Sequence, residues 1–113
     1  DEMTLAGNTA VWEVAGGKVS NWTLSVADTG LPVTPTEAVR GGDKAANAAT
    51  MRALLSGEGG PVRDYVLLNG AGVLLAGDLV TNIRDGVQLA AQTIDSGAAK
   101  ACMESMIEAS RGA

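Results

Sequence analysis

The sequence contains no histidine, no phenylalanine and a single cysteine among its 113 residues. Without histidine, a Ser–His or Cys–His nucleophile is excluded within this sequence, and a zinc site is disfavoured. Cys102 cannot form an internal disulfide, which is typical of proteins from a reducing cytoplasm. Because Cys102 lies in a helical pattern, we expect its thiol to be buried.

Basic residues are also scarce, with 8 Lys and Arg against 13 Asp and Glu and a net charge of −5. They form no cluster that could neutralise phosphates, so we expect no nucleic-acid partner. The longest apolar runs, 66–68 and 73–76, are too short to span a membrane, so we expect no membrane association. Aromatic residues make up only 3% of the chain. The composition therefore favours closely packed helices over a β-sandwich.

The first part of the chain predicts a β-hairpin. Two alternating runs, 9–14 and 18–26, flank a Gly-Gly turn, which is a hairpin pattern. We expect Trp12 and Trp22 to supply much of the buried area of this hairpin. Residues 27–35 contain two prolines and are predicted to form an extended connector.

Apolar residues at helical spacing predict about four packed helices after the hairpin. Asp43, Thr81 and Ser96 are predicted N-caps, and Pro61 suits the first turn of a helix. The predicted segments are a short turn over 36–40 and helices over 44–56, 61–76, 82–95 and 98–110. No second domain is visible. Within residues 1–113, the sequence predicts a hairpin region (8–27) and a helical region (36–110).

Three glycine-rich segments could cradle a phosphate but are better explained by packing. The segment 70–72 follows no strand, and its third glycine is misplaced for a dinucleotide motif. We interpret it as a place where two helices approach closely. The segment 57–60 lacks a following Lys-Ser or Lys-Thr, so a helix–helix turn is predicted. The glycine pair before Asp43 is a helix entry, because the carboxylate would repel a phosphate.

Two asparagines and two arginines are candidates for fixed polar contacts. Asn47 and Asn69 are predicted to brace loops or neighbouring helices, with contact to a ligand as the alternative, because a buried amide must be hydrogen-bonded. The two arginines are Arg40 and Arg63. We expect them to form ion pairs with Asp43 or Asp64.

Asp1 and Glu2 are adjacent carboxylates at the start of the sequence. Taken alone, such a pair is a weak signal, and a solvated terminus or a capping role would account for it. Its chemistry is nonetheless compatible with Mg²⁺, a hard cation that takes carboxylate, phosphate and water oxygens as ligands.

Several short motifs occur together in a particular order. They are Asp1-Glu2, the Trp-containing hairpin, Gly30-Leu31-Pro32, Arg40-Gly41-Gly42-Asp43 with Asn47-Ala48, Gly60-Pro61 with Asp64, Leu67-Leu68-Asn69, Asp85-Gly86-Val87 and Ile94-Asp95-Ser96-Gly97. Their order and spacing resemble the C-terminal part of the anthranilate phosphoribosyltransferases, within the nucleoside phosphorylase and phosphoribosyltransferase superfamily. The sequence departs from this pattern in two places: residues 5–8 replace a Thr-Gly-Pro-Thr-like run, and Ala46 stands where an acidic residue is usual.

The resemblance implies a C-terminal portion of the α/β domain of a longer enzyme. That enzyme transfers the phosphoribosyl group of phosphoribosyl diphosphate to anthranilate in tryptophan biosynthesis. Asp1 and Glu2 are implied to bind Mg²⁺ beside the diphosphate, with Glu2 as the direct or water-mediated ligand. A cytoplasmic homodimer is also implied. Because the glycine-rich diphosphate loop belongs to the missing N-terminal part, we expect the isolated chain to be inactive.

Two other functions remain open at this point. A pyrimidine nucleoside phosphorylase-like enzyme would share the fold, and only residues upstream of Asp1 would distinguish it. A non-catalytic helical scaffold module is the other alternative, which a large exposed apolar face would favour. A fragment of an enzyme would expose a similar face, so the presence of an upstream catalytic segment would distinguish the two.

Overall fold

The computed structural model describes residues 2–113, so the prediction for Asp1 lies outside the described residues. A two-stranded antiparallel hairpin opens the fold, and helices follow it, as the sequence predicts. The strands are β1 (Thr9–Ala15) and β2 (Lys18–Leu24). The helices are α1 (Val26–Thr29), a 3₁₀ turn (Thr36–Val39), α2 (Lys44–Leu55), α3 (Pro61–Ala76), α4 (Ile83–Asp95) and α5 (Ala98–Gly112).

The hairpin turns at Gly16 and Gly17, whose φ angles of 56° and 73° suit glycine. Its register pairs Val11 with Trp22, so these two side chains share the face that packs on the core. Trp12 lies on the opposite face and is 69% exposed. The prediction that both tryptophans supply much of the buried area of the hairpin is therefore wrong for Trp12, because alternate residues of a strand point to opposite faces.

The connector after β2 contains a short helix that the sequence analysis did not predict. Helix α1 begins after Ser25, whose backbone N–H donates to the Asp28 carboxylate at 3.2 Å. Gly30, with a φ of 77°, ends the helix in the left-handed region. A Ser-x-x-Asp sequence is close to a capping box, and this local signal accounts for the helix.

The boundaries of the longer helices agree with prediction to within two residues. Helix α4 is capped by Asn82 instead of Thr81, since the Asn82 side chain accepts a hydrogen bond from the Asp85 N–H at 2.9 Å. Helix α5 begins after Gly97 and runs to Gly112, two residues beyond the predicted end. None of the helices in the part of the chain that the structure describes combines the length and apolar character needed to cross a membrane.

The core is aliphatic and is centred on α3, which packs along α4. Leu5 and Leu68 are fully buried in it. The core residues are Leu5, Leu24, Val26, Leu54, Leu55, Leu67, Leu68, Ala71, Ile83, Val87 and Ile94.

Cys102 is exposed, so the prediction of a buried thiol is wrong. Helix α5 directs Ala99 and Met103 toward the core. Cys102 precedes Met103 by one residue, and successive residues on a helix point about 100° apart. The thiol is therefore turned away from the contact that Met103 makes.

Candidate functional site

The segment that follows Glu2 is held against one face of α3. The side-chain amide of Asn69 accepts a hydrogen bond from the Met3 N–H at 3.0 Å and donates to the Met3 carbonyl at 3.1 Å. It also donates to the carbonyl of Tyr65, one turn earlier on α3, at 3.1 Å. The prediction that Asn69 braces a loop is therefore confirmed.

Tyr65 adds a second attachment to the same segment. Its hydroxyl donates to the Thr34 carbonyl at 3.0 Å and lies 3.2 Å from the Thr4 hydroxyl oxygen. The Thr4 hydroxyl also accepts a hydrogen bond from the Ala6 N–H at 3.0 Å. Sequence analysis did not single out Tyr65 or Thr34, because residues 31 positions apart give no periodic signal of their contact.

Glu2 lies directly before this anchored segment, and its side chain is exposed. A carboxylate supplies oxygen ligands only, which is the donor type that Mg²⁺ prefers. Within residues 2–113, no group of three or more His, Cys, Asp and Glu side chains is close enough to hold a metal ion. Glu2 is therefore not part of such a group, and a cation bound to it would need other oxygen ligands, such as those of phosphate or water.

The glycine pair at 41–42 forms a helix entry, as predicted. Asn47 accepts a hydrogen bond from the Gly42 N–H at 2.8 Å and donates to the Gly42 carbonyl at 3.1 Å. The Asp43 carboxylate accepts a hydrogen bond from the Ala46 N–H at 2.8 Å, which caps α2. Because the Gly42 N–H is already bonded to Asn47, this loop does not offer it to a phosphate.

Arg63 pairs with Asp95, which corrects the prediction of Asp43 or Asp64 as its partner. The Nη2 of Arg63 lies 2.9 Å from Asp95 Oδ1 and donates to Asp95 Oδ2 at 3.0 Å. Adjacent residues on a helix do not face each other, so Asp64 is poorly placed for this pair. Burial raises the pKa of the Asp64 carboxyl, and the nearby positive charge of Arg63 partly opposes that rise.

An open cavity of about 410 Å³ lies beside the turn between α2 and α3. Its lining includes Thr50, Leu54, Gly60 and Arg63. The Nη1 atom of Arg63 is buried without a hydrogen-bond partner among the described residues. The segment 57–60 forms the turn between α2 and α3, as the sequence predicts, and its Gly57 and Gly60 have φ angles of 93° and 130°.

Comparison with known proteins places these features in a family. Residues 1–100 match the family model described as the a/b domain of a glycosyl transferase family. The chain is 44% identical, over all of its 113 residues, to an anthranilate phosphoribosyltransferase of Rhodopseudomonas palustris, of which it covers 33%. It is 47% identical to proteins of the same name from Streptomyces avermitilis and Chloroflexus aggregans, over 97% and 99% of its length, and covers 32% and 34% of them.

The chain thus spans about a third of the length of the curated relatives that it matches. The match to the family model extends from the Asp1–Glu2 pair to the first turn of α5. It therefore includes the hairpin, the anchored segment and the packed pair of α3 and α4. The chain belongs to the glycosyl transferase family, as part of its a/b domain.

Proposed function

We propose that residues 1–113 are the C-terminal portion of the α/β domain of an anthranilate phosphoribosyltransferase. The whole enzyme transfers the phosphoribosyl group of phosphoribosyl diphosphate to anthranilate, a step of tryptophan biosynthesis. The observation that carries this proposal is the 44–47% identity to relatives of that name over nearly the entire chain. We further propose, on the family resemblance alone, that the enzyme is a cytoplasmic homodimer.

Asp1 and Glu2 are the proposed Mg²⁺ ligands of this enzyme. The chemistry of the pair fits the ion, since Mg²⁺ commonly binds one or two carboxylates together with phosphate oxygens and water. The exposed side chain of Glu2 supports this role, because it leaves the carboxylate accessible. When bound by this pair, Mg²⁺ would supply positive charge to offset the negative charge of a departing diphosphate.

The proposed partner of this chain is the upstream part of the same polypeptide. An exposed apolar surface of the hairpin supports this contact. We call it the outward hairpin face, and it consists of Trp12, Val14 and Val19, each 69–76% exposed. Val14 pairs directly with Val19, and Trp12 lies two residues before Val14 on the same side of β1. An isolated two-stranded hairpin is marginally stable, and exposed strand edges invite pairing. The relatives are about three times as long as this chain, so a protein of their length would have further residues that could cover this face.

Assay of the full-length protein that contains this chain tests the proposed activity. We expect this protein to consume anthranilate only when phosphoribosyl diphosphate and Mg²⁺ are both present. The loss of anthranilate fluorescence measures the consumption. Uridine with inorganic phosphate serves as the substrate pair of a pyrimidine nucleoside phosphorylase. Consumption of uridine without consumption of anthranilate would assign the other activity, and inactivity toward both would favour a scaffold.

Cysteine labelling of the full-length protein tests the outward hairpin face. We expect Val14→Cys to react with a maleimide at least tenfold more slowly in the native protein than in urea, as followed by peptide-resolved mass spectrometry. Val33→Cys is the matched control for reagent access, because Val33 is 72% exposed and lies off the hairpin. If native and unfolded proteins label Val14→Cys equally fast, the face is not covered by the upstream part.

A further inference from the structure

We propose that Asn69 is a positioning residue that sets the place of Glu2, one of the two proposed Mg²⁺ ligands, by holding the main chain of Met3. The inference rests on the proposed role of the pair as Mg²⁺ ligands. It assigns to α3 a function beyond its part in the core: one face of this helix fixes the main chain next to the proposed metal ligand Glu2.

The hydrogen bonds of Asn69 leave its amide only one orientation. Its oxygen accepts from the Met3 N–H, and its nitrogen donates to the carbonyls of both Met3 and Tyr65. These are the two hydrogens that a carboxamide nitrogen can donate. A flipped amide would set a donor against the Met3 N–H and an acceptor against two carbonyls.

This contact joins residues that lie 66 positions apart in the sequence. Both hydrogen-bonding groups of a single backbone residue are engaged, so Met3 can neither rotate its peptide planes nor slide along α3 without losing a bond. Glu2 is covalently next to Met3, and the same carboxamide therefore limits where the Glu2 backbone can lie.

Two other residues on the same face of α3 support this placement. Tyr65, Asn69 and Gly72 occur at i, i+4 and i+7 and so share one side of the helix. The Tyr65 hydroxyl contacts Thr4, the residue after Met3. The Met3 side chain lies over Gly72, where an added Cβ would be 3.1 Å from the Met3 Cε. The segment is thus fixed through both its main chain and its side chains.

A metal ligand must be held close to its productive geometry, within about 0.5 Å, for full affinity. Groups that orient ligands without touching the metal change its affinity by about 10- to 100-fold when they are removed. Asn69 acts through one covalent neighbour, so we expect its loss to weaken metal binding on this scale while the core remains folded.

Asn47 provides a matched control within the same chain. Its side chain bridges the N–H and carbonyl of Gly42 at 2.8 and 3.1 Å, which is the contact that Asn69 makes with Met3. The two asparagines therefore have the same donor and acceptor chemistry. They differ in the loop that they hold, since Asn47 holds the entry to α2.

Titration of the full-length enzyme with Mn²⁺, followed by electron paramagnetic resonance, tests the inference. Mn²⁺ also prefers oxygen ligands and serves as a probe for a Mg²⁺ site. We expect Asn69→Ala to raise the dissociation constant about 10- to 100-fold, whereas Asn47→Ala changes it less than threefold. Thermal unfolding of each variant shows whether it is folded at the titration temperature.

Tyr65→Phe is a second, milder variant that keeps the aromatic ring and removes the hydroxyl contacts with Thr4 and with the Thr34 carbonyl. We expect it to weaken Mn²⁺ binding severalfold in a folded protein, so the inference can be tested even if Asn69→Ala does not fold. Unchanged Mn²⁺ affinity in the folded variants at Asn69 and Tyr65 would overturn the inference.

Glu2→Ala separates this result from a failure of the proposed function. If Glu2→Ala leaves Mn²⁺ affinity unchanged, the carboxylate pair is not the metal site, and the proposed role of the pair is wrong. If Glu2→Ala weakens Mn²⁺ binding and Asn69→Ala does not, the metal role stands and the positioning role of Asn69 is wrong.

Discussion

Ala71 on α3 and Gly86 on α4 face each other so closely that the contact leaves no room for a second side chain. A Cβ added to Gly86 would lie 2.8 Å from the Ala71 Cβ and 2.9 Å from its Cα. Ala71 is fully buried, and its Cα cannot move without moving α3. Small residues at this crossing therefore set the separation of the two helices.

Gly86→Ala is expected to destabilise the protein by about 1–3 kcal/mol through overpacking. The clash outweighs the roughly 0.5–1 kcal/mol by which alanine is favoured over glycine inside a helix. Urea unfolding measures the change. Gly70→Ala is the control, because its Cβ would meet the Ala90 Cβ at an ordinary 3.6 Å. If both substitutions change stability equally, close approach at Gly86 does not limit the packing.

Much of the fold could be predicted from the sequence, because its signals are local. The Gly-Gly turn between alternating runs predicts the hairpin, and the cap at Asp43 and Pro61 at a first turn predict where α2 and α3 begin. The small residues at 70–72 predict a close helix contact, which Ala71 makes with α4.

The predictions that are wrong or incomplete concern the burial and the partners of side chains, which tertiary contacts determine. The burial of Trp12 depends on which face of the hairpin meets the core, and a shift of one residue reverses that choice. The exposure of Cys102 depends on which side of α5 is covered. The sequence indicates that Asn69 braces a loop or a neighbouring helix. It does not identify the partner, because Met3 is 66 residues away and no sequence pattern reveals the contact.

Asp95→Ala is expected to destabilise the protein by about 1–3 kcal/mol, because it leaves a charged hydrogen-bonding group without its partner. The side chain of Arg63 is only 13% exposed, and its other terminal nitrogen already has no partner among the described residues. Arg63→Met in the Asp95→Ala background is expected to recover most of the loss, since it removes the buried charge. Urea unfolding of the two single variants and the double variant measures this coupling; additive losses would show that the pair contributes no interaction energy.

Asp43→Ala is expected to cost about 0.5–2 kcal/mol, because Asp43 is the N-cap of α2. Its carboxylate accepts a hydrogen bond from the Ala46 N–H at 2.8 Å, and the first turns of α2 are exposed. Asp43→Asn keeps an acceptor at this position and is expected to lose much less. Thermal unfolding and helical circular dichroism of the two variants compare them, and equal losses would indicate that charge matters more than the hydrogen bond.

Asp64→Asn is expected to raise stability at pH 7 and to have little effect in acid. Burial raises the pKa of the Asp64 carboxyl above its usual value of 3.8, with Arg63 opposing the rise in part. The folded protein therefore binds this proton more tightly than the unfolded chain. Stability falls as the pH rises from the unfolded pKa through the higher folded pKa, and the full penalty remains at pH 7. Urea unfolding at several pH values between 3 and 7 measures the difference between wild type and variant; a constant difference would show that the carboxyl does not titrate differently in the two states.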